Sequence, residues 1–104
     1  MKIILASDHG GFDLKYDIAD FLKSKNIEFR DIGTFDKKSC DYPIYAKLAA
    51  KTILSGKFER GILVCGTGIG MAICANRYKG IRAANVSDTF SAKMSRAHND
   101  SNIL

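Results

Sequence analysis

The sequence predicts an α/β protein in which helices cover both faces of a parallel sheet. Short apolar segments alternate with amphipathic ones along the 104 residues, the pattern of repeated strand–helix units. The predicted strands 2–7 and 61–65 contain the uninterrupted apolar runs 3–6 and 62–65, as expected for strands buried on both faces, and a glycine-rich turn follows each strand. These observations favour a three-layer αβα, Rossmann-like sheet in the flavodoxin-like order, with the first and third strands as neighbours.

The first half of the chain is predicted to hold two strand–helix units. A strand over 2–7 leads through a turn at 8–11 into a helix. The apolar face of that helix carries Leu14, Ile18, Phe21 and Leu22. The second strand covers 27–32. After a loop, Pro43 suits the first turn of the second helix, because proline is tolerated where no helical N–H bond is needed.

The second half repeats the pattern. A third strand over 61–65 is followed by a helix running to about Tyr78, a fourth strand over 81–86 and a last helix that ends near His98. The order is βαβαβαβα, so four strands are expected, with a fifth missing or cut at the end of the chain. No linker, repeat or low-complexity segment interrupts it, and we predict one domain over 1–104.

Composition excludes several function classes. The net charge is +5, but the basic residues are scattered along the chain, which argues against nucleic acid and fits phosphorylated small molecules. No apolar segment approaches the ~20 residues that cross a bilayer, so no membrane partner is predicted and a cytoplasmic protein is expected. The three cysteines and two histidines lack metal-ligand spacing, so we expect no metal.

Cys65 is the residue most strongly indicated for chemistry. It ends the most apolar strand and opens the glycine-rich turn Gly66, Thr67, Gly68, Ile69 and Gly70. Backbone N–H groups of such a turn converge on one point and, with the start of a helix, favour a thiolate and stabilise a nearby oxyanion. The alternative is a cysteine that only fills space in the core.

Met71 argues against three familiar phosphate loops. The dinucleotide fingerprint needs glycine at this position, and the P-loop needs lysine after its last glycine. Cysteine phosphatases need an arginine here. A thiolate beside an anion hole remains, and this arrangement suits proton abstraction next to a carbonyl.

Two histidines are expected to join Cys65. Asp8 and His9 follow the first strand, and the flavodoxin-like order brings them next to the end of the third strand. His98 ends the last helix, where the helix dipole favours imidazolium, and could deliver a proton at the same edge of the sheet. The alternatives are a solvated turn pair for Asp8 and His9 and an exposed helix-end histidine for His98.

These segments give the chain a resemblance to the ribose-5-phosphate isomerase B family, which includes galactose-6-phosphate isomerase subunits. The matching segments, ordered and spaced as in that family along the whole chain, are Ser7-Asp8-His9-Gly10-Gly11, Asp41-Tyr42-Pro43, Cys65-Gly66-Thr67-Gly68-Ile69-Gly70, Gly80-Ile81-Arg82-Ala83 and Arg96, His98, Asn99 and Asp100.

The resemblance implies an enzyme that interconverts ribose 5-phosphate and ribulose 5-phosphate through a cis-enediolate without a cofactor. Cys65 would be the base and His98 the ring-opening acid. Thr67 would form hydrogen bonds with the reacting oxygens, and Asp41 would be a further proton carrier. The alternative for Asp41 is a carboxylate that only lies near the start of a helix. The residues implied for substrate binding are Asp8, His9, Gly66, Thr67, Gly68, Ile69, Gly70 and Asn99. A homodimer, or a tetramer, with shared active sites is implied as well.

The chain departs from the family at its end, because family members continue for about forty residues with a fifth strand, a long helix and phosphate-binding arginines. We therefore expect a fragment or a truncated protein with weak substrate binding and an exposed fourth strand. Two other functions remain open: isomerisation of a six-carbon aldose 6-phosphate (allose or galactose), and a non-catalytic phosphosugar-binding subunit. A cysteine phosphatase is disfavoured by Met71.

Overall fold

The computed structural model describes all residues from 1 to 104, and its elements follow the predicted alternation. The strands are β1 (Lys2–Ser7), β2 (Glu28–Asp31) and β3 (Arg60–Val64). The helices are α1 (Phe12–Ser24), α2 (Tyr42–Leu54), α3 (Ile69–Ala75) and α4 (Thr89–Ala97), with a 3-10 turn, His9–Gly11, before α1. None of these helices combines the length and apolarity needed to span a membrane.

The three strands form a parallel sheet in the order β2-β1-β3, so the first and third strands are neighbours as predicted. The register pairs Ser7 at the end of β1 with Val64 at the end of β3. The turns that leave these two strands therefore start side by side at the carboxyl edge of the sheet. This is the edge at which parallel α/β proteins build their sites.

Helices cover both faces of the sheet, which confirms the three-layer arrangement. Ile4 and Ala6 of β1 point into a core shared with α2 and α3, whose small side chains Ala46, Ala49, Ala50 and Ala75 let the helices approach closely. Because successive strand residues face opposite sides, Ile3 and Leu5 are buried on the other face, where α1 packs across all three strands.

The predicted fourth strand, 81–86, is reduced to a single bridge at Ala83. Ile103 forms parallel bridges with both Gly61 and Ala83, so the last residues of the chain lie between β3 and this segment. The Gly61 N–H donates to Asn102 O at 2.8 Å, and the Ala84 N–H donates to Ile103 O at 2.9 Å. The segment 81–86 is thus the outermost one but does not pair directly with β3.

Close packing at Gly11 lets α1 lie directly on the sheet. A methyl group added at Gly11 would lie 2.4 Å from the carbonyl oxygen of Val64, so no larger residue fits without moving backbone.

On the other face of the sheet, α3 ends at Ala75, earlier than the predicted Tyr78. The Tyr78 N–H still bonds the Ala75 carbonyl at 3.2 Å, which continues the chain as turns.

Candidate active site

Cys65 directly follows β3 and is half-buried at the carboxyl edge of the sheet. Its Sγ accepts a hydrogen bond from the Gly68 N–H at 3.0 Å, which holds the sulfur at the mouth of the glycine-rich loop. Gly68 supplies this N–H because it adopts the left-handed conformation, with φ of +78°, which residues bearing a side chain rarely adopt. All three cysteines are free thiols.

The rest of the glycine-rich loop presents polar hydrogens close to this sulfur. Thr67 Oγ1 accepts the Ile69 N–H at 3.2 Å, so its hydroxyl hydrogen is free to donate to a ligand. Gly66 is exposed, and its backbone has no neighbour within 4 Å on the side where a Cβ would stand. The loop can therefore offer N–H and O–H donors to an oxyanion beside Cys65.

Asp8 converges with the Cys65 loop, as the topology predicts. The Asp8 N–H donates to the Val64 carbonyl at 3.1 Å, which ties the turn after β1 to the end of β3. Its Oδ1 accepts the Gly11 N–H at 3.1 Å. A methyl group on Gly10 would lie 3.4 Å from both Asp8 Oδ1 and Gly66 N, so the carboxylate and the loop border the same space.

His9 and Asp41 form a second wall next to Asp8. The Cys40 N–H donates to His9 Nδ1 at 3.2 Å, which places the hydrogen of a neutral imidazole on Nε2, the outward nitrogen. Asp41 is the N-cap residue of α2, yet its side chain makes no capping hydrogen bond, so its carboxylate is not engaged in helix capping. Both side chains are exposed and available to a ligand.

His98 and Asn99 lie at the opposite edge of the sheet, which corrects the expectation that His98 meets Cys65 within one chain. The Asn99 carbonyl accepts a hydrogen bond from Arg82 Nε at 2.8 Å, just before the bridge at Ala83. That bridge is level with Gly61, four residues before Cys65, or about 13 Å along the strand. The reason is that α4 runs antiparallel to the strands and returns the chain to their amino ends.

Two residues that the sequence did not single out for chemistry hold the loop from its sides. A methyl group on Gly68 would lie 2.3 Å from Asn85 Oδ1, and one on Gly70 would lie 2.7 Å from the Tyr42 ring. The position of Tyr42 could have been noticed in the sequence, because it directly follows the candidate residue Asp41 at the start of a predicted helix. No sequence pattern indicates Asn85, because its contact with the loop arises only from tertiary packing.

An apolar groove of about 510 Å³ shares the Cys65–Gly68 wall with this site. It is lined by α1 side chains, by Ile62–Gly68 and by Ala83–Val86, and Asp8, His9 and Asp41 are not among its lining residues. A polar ligand therefore fits the Asp8 side of the loop better than the groove. No group of three or more metal-ligating side chains occurs in the chain.

Comparison with known proteins gives concordant matches. The ribose/galactose isomerase family profile matches residues 3–104. Ribose-5-P isomerase B of Listeria innocua is 46% identical over the whole chain, which spans 70% of that relative. The 4-deoxy-4-sulfo-D-erythrose isomerase of a Clostridium species is also 46% identical, and the chain spans 66% of it. The structure of Clostridium thermocellum ribose-5-phosphate isomerase B superposes with a TM-score of 0.98 at 51% identity, covering the whole chain and 70% of that structure.

Fold, family profile and relatives together define an isomerase enzyme of the sugar-phosphate class. The chain belongs to the ribose/galactose isomerase family.

Proposed function

We propose that this protein interconverts ribose 5-phosphate and ribulose 5-phosphate through a cis-enediolate, with Cys65 as the base. One observation carries the proposal most directly: the Cys65 sulfur accepts the Gly68 N–H at 3.0 Å beside a loop rich in donors. The sulfur borders the space that the loop donors surround, so N–H groups there would stabilise the oxyanion that forms when Cys65 takes the proton. The name of the similar Clostridium thermocellum structure supports the five-carbon substrate.

The reaction is proposed to start with opening of the furanose ring. An acid donates a proton to the ring oxygen as its bond to C1 breaks, and the C1 hydroxyl loses its proton to give the aldehyde. His98 is the proposed acid, and the carboxylate of Asp41, which caps no helix, is a candidate acceptor of the hydroxyl proton. Asp8 and the loop of Gly66, Gly68, Ile69 and Gly70 would hold the open sugar.

Isomerisation then moves one proton. The Cys65 thiolate removes the proton from C2, the electron pair forms the C1=C2 double bond, and the negative charge moves to O1. Loop N–H groups and the free Thr67 hydroxyl hydrogen stabilise this enediolate. The thiol returns its proton to C1 while the O2 hydroxyl proton passes to O1, which leaves the neutral ketose and regenerates the thiolate. Neither a metal nor a cofactor takes part in these steps.

The separation of His98 from Cys65 favours a site shared between two copies of the chain. Within one chain, Cys65 follows the carboxyl edge of the sheet and His98 lies at the amino edge. A homodimer that places His98 and Asn99 of one copy over the Cys65 loop of the other would complete two identical sites. Two exposed isoleucines on the short α3, Ile69 and Ile73, offer apolar surface for such contact.

The phosphate is proposed to lie beside His9, whose outward Nε2–H can donate to it. An isomerase of a different acidic sugar is the second candidate, because one relative at 46% identity is named as a 4-deoxy-4-sulfo-D-erythrose isomerase. A six-carbon aldose 6-phosphate is the third candidate, because the matched family includes galactose as well as ribose isomerases. The three differ in chain length and in the anionic group, so relative kcat/KM on these sugars separates them.

The direct test is to incubate the protein with ribose 5-phosphate and to measure ketose and free phosphate. We expect ketose alone. Cys65→Ala should abolish its formation, whereas Cys74→Ala should retain it, because Cys74 lies on the core side of α3. Ketose production at the wild-type rate by Cys65→Ala would refute the assignment of the base, and free phosphate would favour a phosphatase.

A further inference from the structure

Lys15 is a lysine that the proposed reaction does not use, yet it is wholly buried beneath the turn after β2. Its Nζ donates to Asp31 Oδ1 at 2.8 Å and to the Thr34 carbonyl. The ring centroids of Phe35 and Phe12 lie 5.2 and 5.7 Å from the same nitrogen. Burying an ammonium group is costly unless its hydrogens have partners. The two oxygens and two rings around Lys15 supply those partners, and moving any of them away would expose this cost, so Lys15 holds them in place.

The groups that Lys15 contacts begin the loop between β2 and α2, residues 32–41, here called the β2–α2 loop. Asp31 Oδ1 also accepts the Gly33 N–H at 2.9 Å. The Thr34 N–H donates to the Ser7 carbonyl at 2.8 Å, and the Ser7 N–H donates to Gly33 O at 2.7 Å. Lys15 thus ties the start of the loop to α1, next to the backbone hydrogen bonds that join the loop to the end of β1, directly before Asp8.

The far end of the same loop reaches the candidate active site. It carries Asp41 and supplies the Cys40 N–H that fixes the His9 ring. Between its two ends the loop has one further ion pair, Lys37 with Asp13 at 3.0 Å, and both of those side chains are largely exposed. Exposed pairs contribute little, so of the two ion pairs that hold the loop, the buried one of Lys15 contributes more to its placement.

We propose that Lys15 is a positioning residue that fixes the β2–α2 loop, and through it His9 and Asp41, against the end of β1. It contacts no substrate. Its effect on sugar binding rests on the proposed function, because His9 and Asp41 are the sugar-contacting residues of that proposal. Its effect on loop order does not depend on that proposal.

Loop order is measured first, by the alkylation rate of each cysteine followed by mass spectrometry. Lys15→Met should raise the rate at Cys40, in the loop, at least fivefold over the rate at Cys74, outside it. Lys2→Met is the matched control: Lys2 also pairs with a β2 carboxylate, Glu28 at 3.7 Å, but both side chains are half or more exposed. It should leave both rates unchanged. Equal rates in Lys15→Met and wild type would overturn the proposal.

Asp31→Asn provides a second variant in case Lys15→Met does not fold. It keeps the shape of the side chain but removes the charge that faces Lys15, and it should accelerate Cys40 alkylation in the same direction by a smaller factor. Leu22→Ala separates positioning from general loss of stability, since Leu22 is buried on the same helix but away from the loop. Its melting temperature should fall without selective exposure of Cys40.

Substrate binding is measured second, by NMR titration with ribose 5-phosphate. Lys15→Met should weaken binding at least fivefold, with the His9 ring signals shifted already in the free protein, while Lys2→Met and Leu22→Ala bind as wild type. If the loop loosens but no variant, including wild type, binds the sugar phosphate, the proposed function fails and the role of Lys15 stands. If binding weakens equally in Leu22→Ala, the positioning role is refuted.

Discussion

Gly68 sets the surroundings of the Cys65 thiol, because it combines a left-handed φ of +78° with an N–H that donates to the sulfur. A side chain here would be strained and would meet Asn85 Oδ1 at 2.3 Å. We expect Gly68→Ala to displace the loop and to lower kcat by up to about 100-fold, because small displacements of catalytic groups are costly. The measurement is steady-state kinetics on ribose 5-phosphate.

The alkylation rate of Cys65 relative to Cys74 in the same protein provides the control for this variant. It should change at Cys65 alone, and Asn85→Gly added to Gly68→Ala should recover part of the activity by removing the clash. Unchanged kinetics and unchanged alkylation in Gly68→Ala would contradict the proposed role of the Gly68 N–H.

The sequence sufficed to place Asp8 next to the Cys65 loop, because parallel topology alone brings the ends of β1 and β3 together. The sequence did not suffice to predict at which edge of the sheet His98 lies. That edge depends on where the segment after α4 joins the sheet. Asn85 was out of reach for a similar reason: no local pattern reports a contact between residues seventeen positions apart.

At the scale of single elements, the start of α1 is fixed by its contact with β3. A methyl group on Gly11 would lie 2.4 Å from the Val64 carbonyl oxygen, so Gly11→Ala must push the helix off the strand. We expect a loss of about 1–3 kcal/mol in the free energy of unfolding, measured by urea denaturation. Gly66→Ala, where a methyl group meets nothing within 4 Å, should leave that stability unchanged; equal losses would contradict the packing argument.

The first turn of α4 is expected to make stability depend on pH. Hydrogen bonds from the Ser91 N–H and hydroxyl to the carboxylate lower the pKa of Asp88. A lowered folded-state pKa stabilises the fold above the unfolded pKa of about 4, and this stabilisation is lost as pH falls through the folded value. Asp88→Ala should therefore lower the melting temperature at pH 7 but not below the folded pKa. An equal decrease at both pH values would contradict it.

The strands and helices differ in how well their sequences predict them. β1 and β3 are continuous apolar segments, and their predicted bounds agree with the structure within a residue. The segment 81–86 has the composition of a strand, but it pairs only at Ala83 because Ile103 lies between it and β3. Strand formation there depends on partner backbone, which local propensity does not report.

At the scale of the whole molecule, we predict active sites that are shared between two copies of the chain. Cys65→Ala and His98→Asn should each be inactive alone, because each lacks one proposed group in both sites. When they are mixed under conditions that exchange subunits, half the dimers at random hold one intact site, so activity should recover to about a quarter of wild type. Sedimentation before and after mixing checks the dimer, and the double variant Cys65→Ala/His98→Asn mixed with either single variant should recover nothing.

Absence of recovery from a confirmed mixed dimer would place His98 outside the shared site. A monomer with full activity would contradict the shared site as well, since Cys65 and His98 lie at opposite edges of one sheet.

The central claim is that the Cys65 sulfur carries the proton between C2 and C1, and solvent exchange measures that transfer directly. Ribose 5-phosphate is incubated with the protein in D₂O, and deuterium at C2 of the aldose and C1 of the ketose is followed by NMR. Deuterium should enter both carbons with wild type and with Cys74→Ala, and neither with a folded Cys65→Ala. Incorporation at the wild-type rate by Cys65→Ala would mean that another group removes the proton.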